Sequence, residues 1–364
     1  MEKELKEKLP RIIIFIILIL LIPVLKPMIF GHSVKEIRTK MEQELKKDYG
    51  EDFIVENIGT RSANGEKFYQ AEIYPKSIIG TNKEYDSYYH ARASVDILPF
   101  GRLSGVAGTY GEIQMNDEAE EFLLPKAKKI FGEKIRMKVQ VDYKKHEGDW
   151  FSKYFVSGFQ EKMKAVKEDP KNKRLELTLY IYIFNKIDNE KEERRKEIYE
   201  YIQYLKKDGL FKYLEMGVIF IDERVLAPGY YDYTYEIKHG KKVALTVDGE
   251  KVYMPPMKLR KEMSKKLGEE VKKMSDDELI KRMNRISKSE LNYYGISKYN
   301  AERYVSICSV EMLRAINNTK YSKEKKEKML YKRKYIKLKD ITYKKNLEYI
   351  YINKKGEDKN DKNN

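Results

Sequence analysis

The chain has 364 residues, with 74 Lys and Arg, 58 Asp and Glu, four His and one Cys, and its formal net charge is +16. A hydrophobic content of 41% and an aromatic content of 12% exclude a chain that is disordered throughout. The single Cys excludes an intramolecular disulfide framework and any zinc site that needs two thiolates. From Lys258 onward there are 30 basic against 16 acidic residues, so the first 257 residues hold 44 against 42 and the excess charge is C-terminal.

A charged N-terminal segment, residues 1–11, precedes a predicted transmembrane anchor at residues 12–31. Eleven large aliphatic or Phe residues follow one another over Ile12–Ile22, and Lys26 is the one charge in the nineteen residues up to Phe30. At about 1.5 Å per helical residue this stretch spans about 28 Å, which is close to the hydrocarbon thickness of a bilayer. A buried helix of a globular protein does not need such a run, so we expect a membrane span.

The charges that flank the anchor predict its orientation. Four basic residues lie before the span and favour a cytoplasmic N-terminus, which places the main domains outside the cytoplasm. The alternative is a signal peptide that is cleaved near Ser33, which would give a secreted protein. The absence of small residues over Ile12–Phe30 favours the uncleaved, single-pass anchor.

Residues 33–115 are predicted to form a small α+β unit. Apolar spacing predicts a helix from Ser33 to Tyr49, and strands are predicted at Phe53–Ile58, Lys67–Tyr74 and His90–Leu98. This helix followed by a meander, over residues 33–98, resembles the cystatin-like or PepSY-like units of exported bacterial proteins, a likeness from which no function follows. The glycine-rich stretch Phe100–Gly111 lacks the spacing of a phosphate-binding loop and is predicted to be a flexible loop, with a membrane-facing or partner-binding loop as the alternative.

Residues 116–256 are predicted to form a larger α+β unit with antiparallel strands. The clearest pattern is Lys134–Tyr143, where apolar and charged or polar residues alternate, so one face is expected to pack and the other to face water. Strands are also predicted at Arg174–Asn185 and Tyr213–Ile221, with a charged helix, Glu190–Lys207, between them. The remaining predicted elements are helices at Asp117–Phe131 and Ser152–Lys167, and strands at Tyr230–Ile237, Lys242–Val247 and Lys251–Met254.

Residues 257–353 are predicted to be a basic, mainly helical region with a C-terminal hairpin, followed by a disordered tail at residues 354–364. Its predicted helices are Lys258–Met274, Asp276–Ser287 with a Ser275–Glu278 capping box, and Lys298–Asn317, which carries Cys308 on its apolar stripe. The chain is therefore predicted to be an α+β protein: an N-terminal transmembrane helix, then antiparallel sheet units with packed helices, then a basic helical C-terminal region.

One cluster has the residue types of a catalytic or metal site. His146, Glu147 and Asp149 place an imidazole beside two carboxylates, which suits a general base or a metal ion. Adjacent loop residues rarely face one ion, however, and neither HExxH nor HxH spacing supports the cluster. We therefore favour a structural role and keep a membrane-tethered hydrolase or metal-dependent enzyme as the alternative function. The sequence predicts no cofactor and no bound metal.

The candidate binding residues are basic and C-terminal, interleaved with tyrosines: Lys325, Lys326, Lys332, Arg333 and Lys334. Outside the cytoplasm this charge suits an anionic envelope polymer or a protein partner, and nucleic acid is not an expected partner. A merely solvated face is the alternative interpretation. The predicted function is that of a non-enzymatic binding or accessory protein, which contacts the lipid bilayer through residues 12–31.

Overall fold

The computed structural model describes residues 31–144, 158–185, 191–230, 243–247, 250–254, 256–291, 301–309 and 312. They form two compact units, divided after Ile113, and the predicted α+β class, with packed helices and mostly antiparallel strand pairs, is confirmed. Residues 12–30 of the predicted anchor lie outside this part of the chain. Within the described ranges, no helix is both long enough and apolar enough to cross a membrane.

In the first unit, one helix precedes a four-stranded antiparallel meander. The helix, α1, is Val34–Tyr49, and the strands, which pair in the order β1-β2-β3-β4, are β1 (Phe53–Ala63), β2 (Glu66–Pro75), β3 (Ala91–Ile97) and β4 (Leu103–Gly108). Ser33 begins α1 with a capping box. The helix buries its apolar stripe against the strands, in a core that includes Ile37, Met41, Leu45, Phe53, Val55, Ile73, Ala93 and Val95.

The prediction of a flexible loop over Phe100–Gly111 was wrong, because its central residues form β4 and pair with β3. Its small residues serve close packing: a Cβ on Gly108 would lie 3.3 Å from the Leu45 side chain of α1. The Glu44 carboxylate of the same helix accepts a hydrogen bond from the Val106 N–H at 2.7 Å. That bond satisfies a backbone donor on a strand with no described neighbour on that side.

The second unit is a four-stranded sheet with helices on both faces. Its strands pair in the order β10-β7-β6-β5 and are β5 (Ile135–Lys144), β6 (Arg174–Asn185), β7 (Leu214–Asp222) and β10 (Ala301–Cys308). Its helices are α2 (Tyr110–Phe131, which begins in the first unit), α3 (Phe159–Glu168), α4 (Lys191–Lys207), α5 (Pro256–Lys272) and α6 (Asp276–Arg285). A separate hairpin joins β8 (Val243–Val247) and β9 (Glu250–Met254).

Each face of this sheet has its own hydrophobic core. Helices α2, α3 and α4 cover one face, with a core that includes Leu123, Phe159, Ile202, Met137, Leu179 and Val218. Helices α5 and α6 cover the other face, with a core that includes Leu267, Val271, Leu279, Met283, Tyr182 and Ile219. The described elements of residues 256–308 therefore pack within the second unit and share its sheet.

Two predictions for this sheet were wrong. Strands β6 and β7 are parallel, because α4 crosses between them and returns the chain to the same end of the sheet. The predicted helix Lys298–Asn317 is replaced over 301–308 by β10, which is antiparallel to β7 and buries Ile307. Cys308 is thus the last residue of a strand, opposite Glu215, and does not lie on a helical stripe.

Candidate functional site

The residues that the sequence singled out all lie outside the described ranges. They are the proposed catalytic or metal cluster, His146, Glu147 and Asp149, and the proposed binding residues, Lys325, Lys326, Lys332, Arg333 and Lys334. Both sets stay predictions. In the part of the chain that the structure describes, no group of three or more His, Cys, Asp or Glu side chains is placed to hold a metal ion.

In the first unit, His90 joins the connection between β2 and β3 to the sheet. Its Nδ1 lies 2.6 Å from Glu72 Oε1, its Nε2 lies 2.8 Å from the Glu84 carbonyl oxygen, and its ring stacks on Tyr74 at 4.5 Å between centroids. A carboxylate and a carbonyl only accept hydrogen bonds, so a ring nitrogen that carries a hydrogen donates to the oxygen beside it. The hydrogen bond from His90 lowers the pKa of Glu72, helped by a second bond from Asn57. With both ring nitrogens in contact, His90 holds the connection between β2 and β3 to the sheet.

In the second unit, the buried ammonium group of Lys288 contacts two carboxylates. Its Nζ lies 2.8 Å from Asp117 Oδ1 and 2.8 Å from Glu120 Oε2, and the Lys288 side chain is only 6% exposed. Both acids belong to α2, whereas Lys288 follows α6 on the opposite face of the sheet. Because β5 is the last strand on this side among those described, the contact joins the two helical layers at the strand's open edge.

The face of β5 that was predicted to meet water instead holds α6 and the residues after it. Lys134, just before the strand, lies 3.2 Å from both Glu223 and Asp276. Arg136 donates to the carbonyl oxygens of Met283 and Ile286, at 2.8 and 2.9 Å, and Lys138 donates to that of Lys288 at 3.3 Å. Arg136 thereby satisfies carbonyl groups at the C-terminal end of α6, where a cation is also favourable for the helix dipole. The part of the predicted wet face around Arg136 and Lys138 is thus a charged contact face, whereas Gln140 of the same face is exposed as predicted.

This arrangement decides what Lys288 can do. Two carboxylates at 2.8 Å favour its charged form, and a charged ammonium is not a nucleophile. Burial raises the pKa of Glu120, although Lys288 acts in the opposite direction. We call Lys288, Asp117 and Glu120 the buried charge cluster, and its geometry is that of a clamp between layers.

No local pattern predicts the buried charge cluster, because Lys288 and Asp117 are 171 residues apart and each lies in an ordinary polar stretch. The His90 contact was closer to prediction. Its strand was expected, and Glu72 belongs to the neighbouring strand of the predicted meander.

The first unit also positions the chain where it leaves the apolar stretch. His32 Nε2 lies 2.7 Å from the Gly101 carbonyl oxygen, a hydrogen-bond acceptor in the turn between β3 and β4, and its backbone N–H donates to the Tyr69 hydroxyl at 3.2 Å. The ring also meets Tyr69 edge-on, with centroids 6.4 Å apart. Gly31 adopts φ 71°, a left-handed conformation that suits glycine. Residues 31 and 32 are thus fixed against the sheet.

No protein-family model, curated protein or solved structure matches this chain.

Proposed function

We propose that this protein is a membrane-anchored binding or accessory protein whose folded units lie outside the cytoplasm. The observation that carries this proposal is the apolar run over Ile12–Phe30, preceded by basic residues and followed almost at once by a folded unit. The His90 contacts and the buried charge cluster act as ties within the scaffold, which suits a protein that presents surfaces to a partner.

The proposed contact with a partner is electrostatic and C-terminal. The last 107 residues carry an excess of 14 positive charges, whereas the first 257 carry an excess of only two. We propose that this surface binds an anionic envelope polymer or an acidic protein partner. The residues assigned to the contact are Lys325, Lys326, Lys332, Arg333 and Lys334. Contact between exposed charges weakens as salt rises, so binding should be salt-sensitive.

The anchor is tested by charging it in the full-length chain. Each Arg at the centre of a membrane span costs about 3 kcal/mol of insertion free energy. The double variant Ile17→Arg with Leu20→Arg should therefore leave the membrane fraction. The unaltered chain and the matched control, Ile17→Leu with Leu20→Ile, should both resist extraction with alkaline carbonate. A charged variant that still resists extraction would refute the anchor.

The side of the membrane is tested separately. A reporter that is active only outside the cytoplasm, fused after the last residue of the full-length chain, should be active. Activity of a reporter restricted to the cytoplasm would reverse the orientation. The mass of the isolated protein decides between the anchor and the alternative: cleavage near Ser33 would remove the apolar stretch and release the protein.

The basic contact is tested by neutralising charge at matched positions. The test variant changes Lys325, Lys326, Lys332, Arg333 and Lys334 to Gln and should lose salt-sensitive retention on anionic envelope fragments. The control variant removes the same charge from five exposed lysines of α5 and the residue after it, Lys261, Lys265, Lys266, Lys272 and Lys273, and should be retained. Equal retention of both variants contradicts the assignment.

A further inference from the structure

We propose that the turn between β3 and β4, residues Leu98–Arg102, is a membrane-contact surface that inserts the Phe100 side chain at the headgroup boundary beside the anchor. This inference rests on the proposed function, because it requires the apolar stretch to lie in a bilayer. The occupant of the surface is therefore the lipid interface itself.

The first observation is the exposure of large apolar side chains at this end of the unit. Phe100 is 68% exposed, Leu98 38% and Val34 54%. Among the described side chains, the other large hydrophobic residues in this class are Ile79 and Tyr85, which belong to the connection at the opposite end of β3. Single exposed apolar residues are ordinary, but three at one end of a small unit need a reason.

The second observation is the backbone of Phe100. Its φ of 64° and ψ of 24° lie in the left-handed region, which costs a residue with a Cβ free energy and favours Gly, Asn or Asp. The turn is closed by hydrogen bonds from the Leu98 N–H to the Arg102 carbonyl at 2.7 Å and from the Gly101 N–H to the Leu98 carbonyl at 3.1 Å. Because Phe100 is mostly exposed, the first unit gains little packing in return. An exposed aromatic residue held in a strained turn suggests a contact outside the fold.

The third observation is the position of the turn relative to the anchor. His32 contacts the turn through the Gly101 carbonyl oxygen at 2.7 Å, and only Gly31 separates His32 from the apolar stretch that ends at Phe30. A span that ends at residue 30 must therefore leave the bilayer beside Phe100. Contact with the lipid boundary then follows from the covalent connection.

The charges at this end of the unit leave a small positive excess. Phe68 of β2 lies opposite Asp96 of β3, so the β1–β2 turn and the β3–β4 turn lie at the same end of the sheet. Three exposed cations, Arg61, Lys67 and Arg102, lie at or beside these turns, together with the exposed carboxylates of Glu66 and Asp96. Long basic side chains beside an apolar tip place their charges among lipid headgroups while the tip lies deeper.

The test uses depth-sensitive quenching in the full-length protein. Phe100→Trp adds an indole at the tip, and the control Tyr85→Trp adds one in the connection at the other end of β3, a strand of seven residues that spans roughly 23 Å at about 3.3 Å per residue. Trp150 is the only native tryptophan, so the unaltered chain supplies the background. Each protein is placed in phosphatidylcholine vesicles whose acyl chains carry bromine near the headgroup, and vesicle flotation is measured in parallel.

We expect all three proteins to float with the vesicles, and we expect bromine to quench the emission added by Phe100→Trp at least twofold more than that added by Tyr85→Trp. Flotation with equal quenching in both variants overturns the membrane-contact surface while the anchor stands. Loss of flotation by the unaltered chain overturns the anchor, and the present inference with it. If the indole at position 100 is shielded from aqueous iodide but not quenched by bromine, a protein surface covers the turn, which also overturns the inference.

Discussion

Replacing Lys288 with Met tests the interpretation of the buried charge cluster as a clamp. Met has a similar length and fills most of the same volume, so the change removes a charge without opening a large cavity. It removes the cation that lies 2.8 Å from both Asp117 and Glu120, two acids that lie three residues apart on α2. Their exposed fractions are only 24% and 14%, so water compensates little.

The expected loss follows from these exposures. Removing one partner of a buried ion pair costs 3–5 kcal/mol, and the residual exposure of Asp117 favours the lower end, about 3 kcal/mol at neutral pH. For a unit of this size, 1 kcal/mol corresponds to about 2–4 °C, so the unfolding midpoint of the second unit should fall by about 6–12 °C. Loss of a surface salt bridge, by contrast, would cost less than about 1 kcal/mol.

The pH dependence gives a second, independent readout. Burial raises the pKa of Glu120 above its ordinary value of 4.5, so the folded state binds a proton more readily than the unfolded state. The free energy of unfolding therefore decreases as pH rises from 4.5 through the folded-state pKa. Without Lys288 the pKa of Glu120 rises further, so the pH range over which stability decreases becomes wider. The Lys288→Met variant should therefore lose more stability at pH 7 than at pH 4.

The measurement is thermal and urea unfolding of the full-length chain in mild detergent, followed by far-ultraviolet circular dichroism at pH 4 and pH 7. Lys281→Met, which changes an exposed lysine of α6, is the matched control and should stay within about 0.5 kcal/mol of the unaltered protein. A Lys288→Met loss below about 1 kcal/mol, or a loss equal at both pH values, would refute the clamp.

Three further predictions concern single contacts, each measured by unfolding of the full-length chain. Phe100→Gly should stabilise the first unit by about 1 kcal/mol, because glycine adopts the left-handed backbone freely and little packing is lost; a destabilised variant would contradict the strain. Asn116→Ala should cost about 1–3 kcal/mol, because the Asn116 amide oxygen accepts a buried hydrogen bond from the Val141 N–H at 2.8 Å. Ser275→Ala should cost about 1 kcal/mol by removing the cap of α6, and Ser275→Thr, which keeps the hydroxyl, should restore most of it.

Local patterns correctly predicted the elements in which the spacing of apolar residues equals the spacing of the residues that are buried in the structure. The capping box of Ser275 and Glu278 begins α6 as expected, since both of its hydrogen bonds form within four residues. Strand β6 has the predicted bounds, and β5 is displaced by a single residue, since their inward residues alternate with a period of two and bury against α2 and α4. In both cases the deciding interactions are local or repeat along one face.

Partners that are distant in sequence explain the failures. The stretch 301–308 contains Val305 and Ile307 at strand spacing, but Ala301, Tyr304 and Cys308 also fit a helical period, and only pairing with the edge of β7 decides between them. No local pattern reveals that β7 has a free edge there. The parallel pairing of β6 and β7 similarly depends on where α4 packs, which no window of the chain contains.

The charged face of β5 illustrates why local patterns did not predict the contacts of this strand with α6 and the residues after it. Alternation assigned Arg136 and Lys138 to water because charged residues are usually exposed. The structure covers them with α6 and the residues after it, and each cation bonds to backbone carbonyls there. A charged strand face can therefore bind the end of a helix by donating hydrogen bonds to the carbonyl groups of the helix. No sequence pattern marks those carbonyl groups as partners of a strand. Lys288 likewise joins two helical layers that are distant in sequence, so the buried charge cluster can be recognised only from the tertiary structure.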